Sequence, residues 1–120
     1  MRLKSIVYDK SFNFAIRIVK LYEYLKTNKK EYIMSKQLMR SGTSNGANIS
    51  EALEGQSKKD FIGKLHIALK EANESKYWIN LLQATEYLEA KEEGSLVRDL
   101  EEIIKLLISI IKTTKNNIEK

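Results

Sequence analysis

Apolar residues recur at three- and four-residue intervals along almost the whole chain, and short polar breaks divide them into four stretches. Such spacing places one apolar stripe on a helix. The first stretch, about Ser5 to Thr27, carries Ile6, Phe12, Phe14, Ile16, Ile18, Val19, Tyr22 and Leu25, with Lys20 and Lys26 turned outward. A polar TNKK segment ends it. The second stretch runs from about Tyr32 to Glu54, with Ser35 as a local cap and Gly55 as a left-handed stop. Ser57, followed three residues later by Asp60, opens the third, which extends to about Ala90. Phe61, Leu65, Ala68, Ala72, Ser75, Ile79 and Leu82 form the seam of that helix. Gly94 and Ser95 are expected to turn the chain into the fourth stretch, about Ser95 to Asn117, along Leu96, Leu100, Ile103, Leu107, Ile110 and Thr114. The spacing thus predicts helices over 5–27, 32–54, 57–90 and 95–117. Short connections make successive helices antiparallel neighbours. The expected fold is all-α, a single up-and-down four-helix bundle spanning residues 1–120.

Composition agrees with this pattern. The 120 residues include no proline, no cysteine and only five glycines. Disulfides and cysteine-based zinc sites are excluded. No segment reaches the roughly 18 unbroken apolar residues of a membrane span, and MRLKSIVYDKSF lacks the apolar run of a secretory signal. A cytoplasmic protein is the expectation.

The net charge of +5 is unevenly spread: residues 1–40 hold ten basic and three acidic residues, whereas residues 41–120 hold eleven and thirteen. Clustered cations are the electrostatic footprint of a nucleic-acid surface. Arg2, Lys4, Lys10, Arg17, Lys20, Lys26, Lys29, Lys30, Lys36 and Arg40 are the candidate phosphate contacts. A solvated helix face that aids solubility is the alternative.

The fourth stretch is apolar beyond one stripe. Ile104, Leu106, Ile108 and Ile111 lie off its main seam and are candidates for a subunit interface, because large exposed apolar patches are uncommon on monomers. A wide stripe buried within the monomer is the other solution.

The second stretch is unusual in the opposite sense. Ser41, Gly42, Thr43, Ser44, Asn45, Gly46, Ala47 and Asn48 are small or polar where a core face should be apolar. Close approach of neighbouring backbones would offset their weak helix propensity. Arg40, Ser44, Asn48 and Glu51 share a face and form a polar ladder suited to fixing helix register. A polar groove for a ligand or RNA phosphate, or a flexible loop, are the competing readings.

The run RSGTSNGANISEA, followed by QSKKDFIGKLHIALKEANESKYWINLL, resembles the four-helix-bundle family encoded in intervening sequences of 23S rRNA genes. By similarity, Arg40, Ser44, Asn48, Ile49 and Glu51 occupy signature positions, as do Asp60, Phe61, Ala68, Leu69, Glu71, Tyr77 and Trp78. The resemblance implies an up-and-down bundle that forms a ring-like homo-oligomer, typically a pentamer. A related branch is similar to the accessory variability protein of diversity-generating retroelements, which binds nucleic acid and a reverse transcriptase. Two positions depart from the pattern: Ala52 stands where many members have glycine, and Asn45 where many have an apolar residue.

Catalytic chemistry finds little support. His66 is the only histidine, and on a helix it fits a packing edge better than a metal site. Glu71 and Glu74 lack the histidine partner of a di-iron bundle and read as solvated charges near Lys70. Gly42 and Gly46 follow no strand and precede no Walker lysine. Tyr77 and Trp78 could stack on bases, but their spacing beside Ile79 and Leu82 suits core or interface. No cofactor and no metal are expected. The expected function is a non-enzymatic, homo-oligomeric, nucleic-acid-associated scaffold. Its alternatives are an adaptor docking an acidic partner such as a polymerase, and an enzyme using Glu51 or Glu54.

Overall fold

Four helices make up nearly all of the computed structural model, which describes residues 2–119, except for the side chains of 118 and 119. They are α1 (Arg2–Asn28), α2 (Met34–Leu53), α3 (Lys58–Ala84) and α4 (Ala90–Glu119). Each buries one stripe of its surface, and the four stripes meet in one core. Phe14, Ile18 and Leu25 of α1 face Leu38 and Ile49 of α2, Leu65, Ile79 and Leu82 of α3, and Leu96, Leu100, Ile103 and Leu107 of α4. All seven residues of the expected α3 seam are buried, including Ser75.

The helices form a square. The backbones of α1 and α3 each run close to those of α2 and α4, whereas the backbones of the diagonal pairs stay farther apart. The cross-links run in opposite directions along neighbouring helices, as antiparallel packing requires. Ser11 lies by Gly46 and Ile18 by Gly42. Asn45 bonds Ala68 and Ser41 reaches Ser75. Lys10 meets Glu102 and Arg17 meets Asp99. The bundle measures 52 × 22 × 19 Å. Among the described residues, no helix is long and apolar enough to cross a membrane.

The small residues of α2 have two partners. Gly42 and Gly46 lie against α1, and a Cβ on Gly42 would come within 3.0 Å of both Ile18 Cγ1 and Cγ2. Ser41 and Asn45 turn toward α3. The Ser41 and Ser75 hydroxyls meet at 2.9 Å, and Asn45 Nδ2 donates to the Ala68 carbonyl at 2.8 Å. Asn45 Oδ1 is buried without a protein partner. The segment is helical throughout, so the loop alternative fails.

Four helix ends differ from the sequence expectation. α3 stops at Ala84, six residues before the expected end. Glu86 there adopts φ 69°. Its N–H donates to Gln83 O, and Tyr87 N–H donates to Leu82 O, which is the Schellman closure of a helix. Glutamate stands where that motif favours glycine, so the stop is not visible in the sequence. Gly94 and Ser95 consequently lie within the first turns of α4 instead of in a connection. Gly55 does not adopt a left-handed conformation. A Cβ at that position would approach Ala52 O to 3.0 Å, so glycine permits close backbone contact there. The start of α2 is capped not by Ser35 but by Glu31, whose carboxylate accepts from the N–H groups of Ile33, Met34 and Ser35 at 2.7–3.0 Å. Ser57 caps α3 as expected, accepting from Asp60 N–H at 3.0 Å.

Candidate functional site

The ten candidate phosphate contacts divide by their partners. On the α1–α4 seam, Lys10 bonds Glu102 at 2.7 Å. Arg17 bonds Asp99 at 2.6 Å, Ser95 at 3.0 Å and Glu92 at 3.3 Å. Lys26 lies 3.5 Å from Glu23 and over the Tyr22 ring, and Lys4 lies over the Phe61 ring, 4.5 Å from its centroid. Arg40 bridges to Glu71 and Glu74 of α3. Among the described residues, Arg2, Lys20, Lys29, Lys30 and Lys36 form no ion pair. Arg2 stands at one pole of the bundle. The other four lie toward the opposite pole, where α1 gives way to α2. Lys30 turns that corner with φ 55°. The basic surface is therefore smaller and more polar in placement than the charge count implies, because α4 carboxylates neutralise the middle of α1.

The signature residues converge along the α2–α3 contact. Arg40 is their centre. It donates to Glu71 Oε2 at 2.9 Å and also to Glu74, which accepts from the Trp78 indole N–H at 3.1 Å. Burial pushes the Glu74 carboxyl up, but the indole N–H and the Arg40 guanidinium outweigh it and hold the carboxyl below its ordinary value. The Glu74 bond, followed by Glu71, holds Arg40 above its own. Glu71 is buried, so neither carboxylate is the free, solvated charge expected from the sequence.

The polar ladder is only partly an interhelical device. Asn48 Nδ2 bonds back to Ser44 O and Oγ within α2, whereas Glu51 reaches Lys64 at 3.5 Å across the contact. Ile49, Phe61 and Ala68 are buried in the core, Leu69 packs against it, and Asp60 is exposed at the start of α3. Trp78 packs against the core, while Tyr77 meets it edge-on and stays 58% exposed. His66 lies exposed on α3.

The candidate interface on α4 is mostly used within the monomer. Ile111 is 6% exposed and belongs to the core, and Ile104 and Leu106 pack against that core. Ile104 and Leu106 are half-buried, and of the four only Ile108, at 50%, is exposed. The exposed apolar stripe lies instead on α1, where Phe12 is 53%, Ile16 41% and Val19 40% exposed. Beside it runs a groove of about 260 Å³ lined by Tyr8, Phe12, Ala15, Thr43 and Ala47. The sequence shows these side chains as apolar. They point outward because Val7, Phe14, Ile18, Leu21 and Leu25 take the buried face of α1.

Comparison with known proteins agrees with the motif. No curated protein matches the chain. A solved structure, described as a protein with unknown function from the S23 ribosomal protein family of Bacteroides thetaiotaomicron VPI-5482, is 57% identical. The match covers 92% of this chain and 98% of that one, with a TM-score of 0.91. The family described as 23S rRNA-intervening sequence protein matches residues 3–109, and the chain belongs to that family.

Proposed function

We propose that this protein is a non-enzymatic, homo-oligomeric scaffold that holds nucleic acid by its phosphate backbone. The observation that carries the reading is the set of unpaired cations Lys20, Lys29, Lys30 and Lys36 toward one pole, free of the carboxylates that occupy Lys10, Arg17 and Arg40. Arg2, at the other pole, does not belong to this set. Flexible lysines on an exposed corner suit sequence-independent phosphate contact. Self-association, with a ring implied by the family, would repeat this pole in several copies and turn weak contacts into avid binding. The exposed stripe of Phe12, Ile16 and Val19 is the surface we assign to it, in place of α4.

A gel-shift series over salt tests the reading. Four phosphate contacts per protomer give a log–log slope of roughly −3 to −4 on duplex DNA, and Lys29→Glu with Lys30→Glu should flatten it. Absence of binding at low salt, or binding indifferent to salt, would overturn the reading. Capture of an acidic protein that survives nuclease treatment, without binding to bare nucleic acid, would assign the pole to a protein partner instead.

A further inference from the structure

A cleft of about 760 Å³ opens where the last turns of α1 face the connection between α3 and α4. Its size suits a small-molecule ligand. Leu21 and Leu88, both buried, form the floor. Tyr24 from α1 and Tyr87 from the connection also line it, and Tyr24 is exposed. Lys20 and Lys29 line the α1 side, and Glu86 and Glu89 the other. None of these four charges forms an ion pair among the described residues. Arg17 also reaches the cleft, but Asp99, Glu92 and Ser95 hold it.

Three kinds of group therefore face one space: aromatic rings, free ammonium groups and free carboxylates. A purely apolar ligand would make no use of the four charges, which are all exposed. A bare phosphate would meet the lysines but leave the tyrosines and carboxylates without a partner. A ligand with a planar base, a phosphate and sugar hydroxyls matches all three. Bases stack on aromatic side chains. Lysine is a compact phosphate partner, and a carboxylate is the usual acceptor for a ribose 2′-hydroxyl. We propose that this cleft binds a ribonucleoside monophosphate, with its base against Tyr24 and Tyr87 and its phosphate at Lys20 and Lys29. The 2′-hydroxyl donates to Glu86 or Glu89. DNA lacks that hydroxyl, so the site prefers ribonucleotides. Such binding needs neither a long nucleic acid nor self-association.

Calorimetric titration of the full chain with AMP, dAMP and inorganic phosphate tests this. AMP should bind saturably, dAMP about tenfold more weakly or worse, and phosphate without saturation. Tyr24→Ala alters an exposed side chain and should lower AMP affinity about tenfold, as should Lys29→Glu, with the helical circular-dichroism signal unchanged. Glu86→Ala with Glu89→Ala removes both acceptors and should bring AMP and dAMP together. No saturable AMP binding at millimolar concentration, or AMP binding indifferent to both Tyr24→Ala and Lys29→Glu, would overturn the proposal. A short adenine RNA that competes with AMP identifies the ligand as a strand end. AMP binding without such competition identifies a free nucleotide.

Discussion

Ile33, Met34 and Ser35 open α2 with amide groups that no preceding helical turn can satisfy, and all three donate to the carboxylate of Glu31. Burial pushes that carboxyl up, but the three N–H groups and the Ser35 hydroxyl outweigh it and hold it below its ordinary value of 4.5. The charged form is thus favoured by folding. Its stabilisation is fully present above the ordinary carboxylate pKa and is lost as pH falls through the lower folded-state value. Glu31→Ala should cost about 1–2 kcal/mol near neutral pH, and the deficit should shrink on acidification. Urea denaturation of both proteins across the acid range measures it; a deficit constant with pH would show that the carboxylate charge is not the cap. Asn45 is the converse case, a buried amide with one half bonded to Ala68 O and the other unpartnered. Its one bond ties α2 to the α3 backbone at Ala68.

At the scale of elements, α2 is shaped by what it lacks. Gly42 lets α1 approach until Ile18 fills the space of a side chain, whereas Gly63 on α3 has no neighbour within 4 Å of where a Cβ would lie. The same residue type should therefore respond oppositely. Gly42→Val should destabilise by about 1–3 kcal/mol through overpacking. Gly63→Ala should stabilise by up to about 1 kcal/mol through helix propensity. Thermal melts decide it, and a stabilising Gly42→Val would mean that α1 and α2 are not in close contact. The helices themselves, the α3 seam and the Ser57 cap were legible because period and capping chemistry are local properties. The end of α3 was not, since Glu86 adopts a conformation that sequence patterns assign to glycine. The direction of the second α4 stripe was hidden for another reason. Whether Ile111 meets solvent depends on how far neighbouring helices wrap around it, and periodicity on one helix carries no such information. The candidate site was legible only as charge. Which cations of α1 remain free was decided in part by Glu92, Asp99 and Glu102, far along the chain, which hold Arg17 and Lys10.

The whole molecule is a rod with unlike sides. Its α1–α4 seam is laced by ion pairs, its α2–α3 contact by the Arg40 cluster, and its α1 surface is apolar and open. If that open surface joins copies of the chain, light scattering should give a mass several times the 13.9 kDa of one protomer. Phe12→Glu with Ile16→Lys should return it to one protomer without loss of helix. Ile108→Lys should leave the assembly intact. A wild-type mass near that of the monomer at micromolar concentration, or an assembly indifferent to the α1 changes, would refute the assignment.

The even number of antiparallel helices brings the two ends of the described chain together. Leu3 and Lys4 share a cavity of about 400 Å³ with Thr114 and Asn117, beside the Gly55–Lys58 connection. A fluorophore or affinity tag attached near either end is thereby carried at the same pole. Lys29, Lys30 and the tyrosine-lined cleft lie toward the other end of a molecule 52 Å long. Immobilisation through an end-placed tag would leave the α1–α2 corner facing solution. Surface-based binding measurements could then use either end without covering the groups under test.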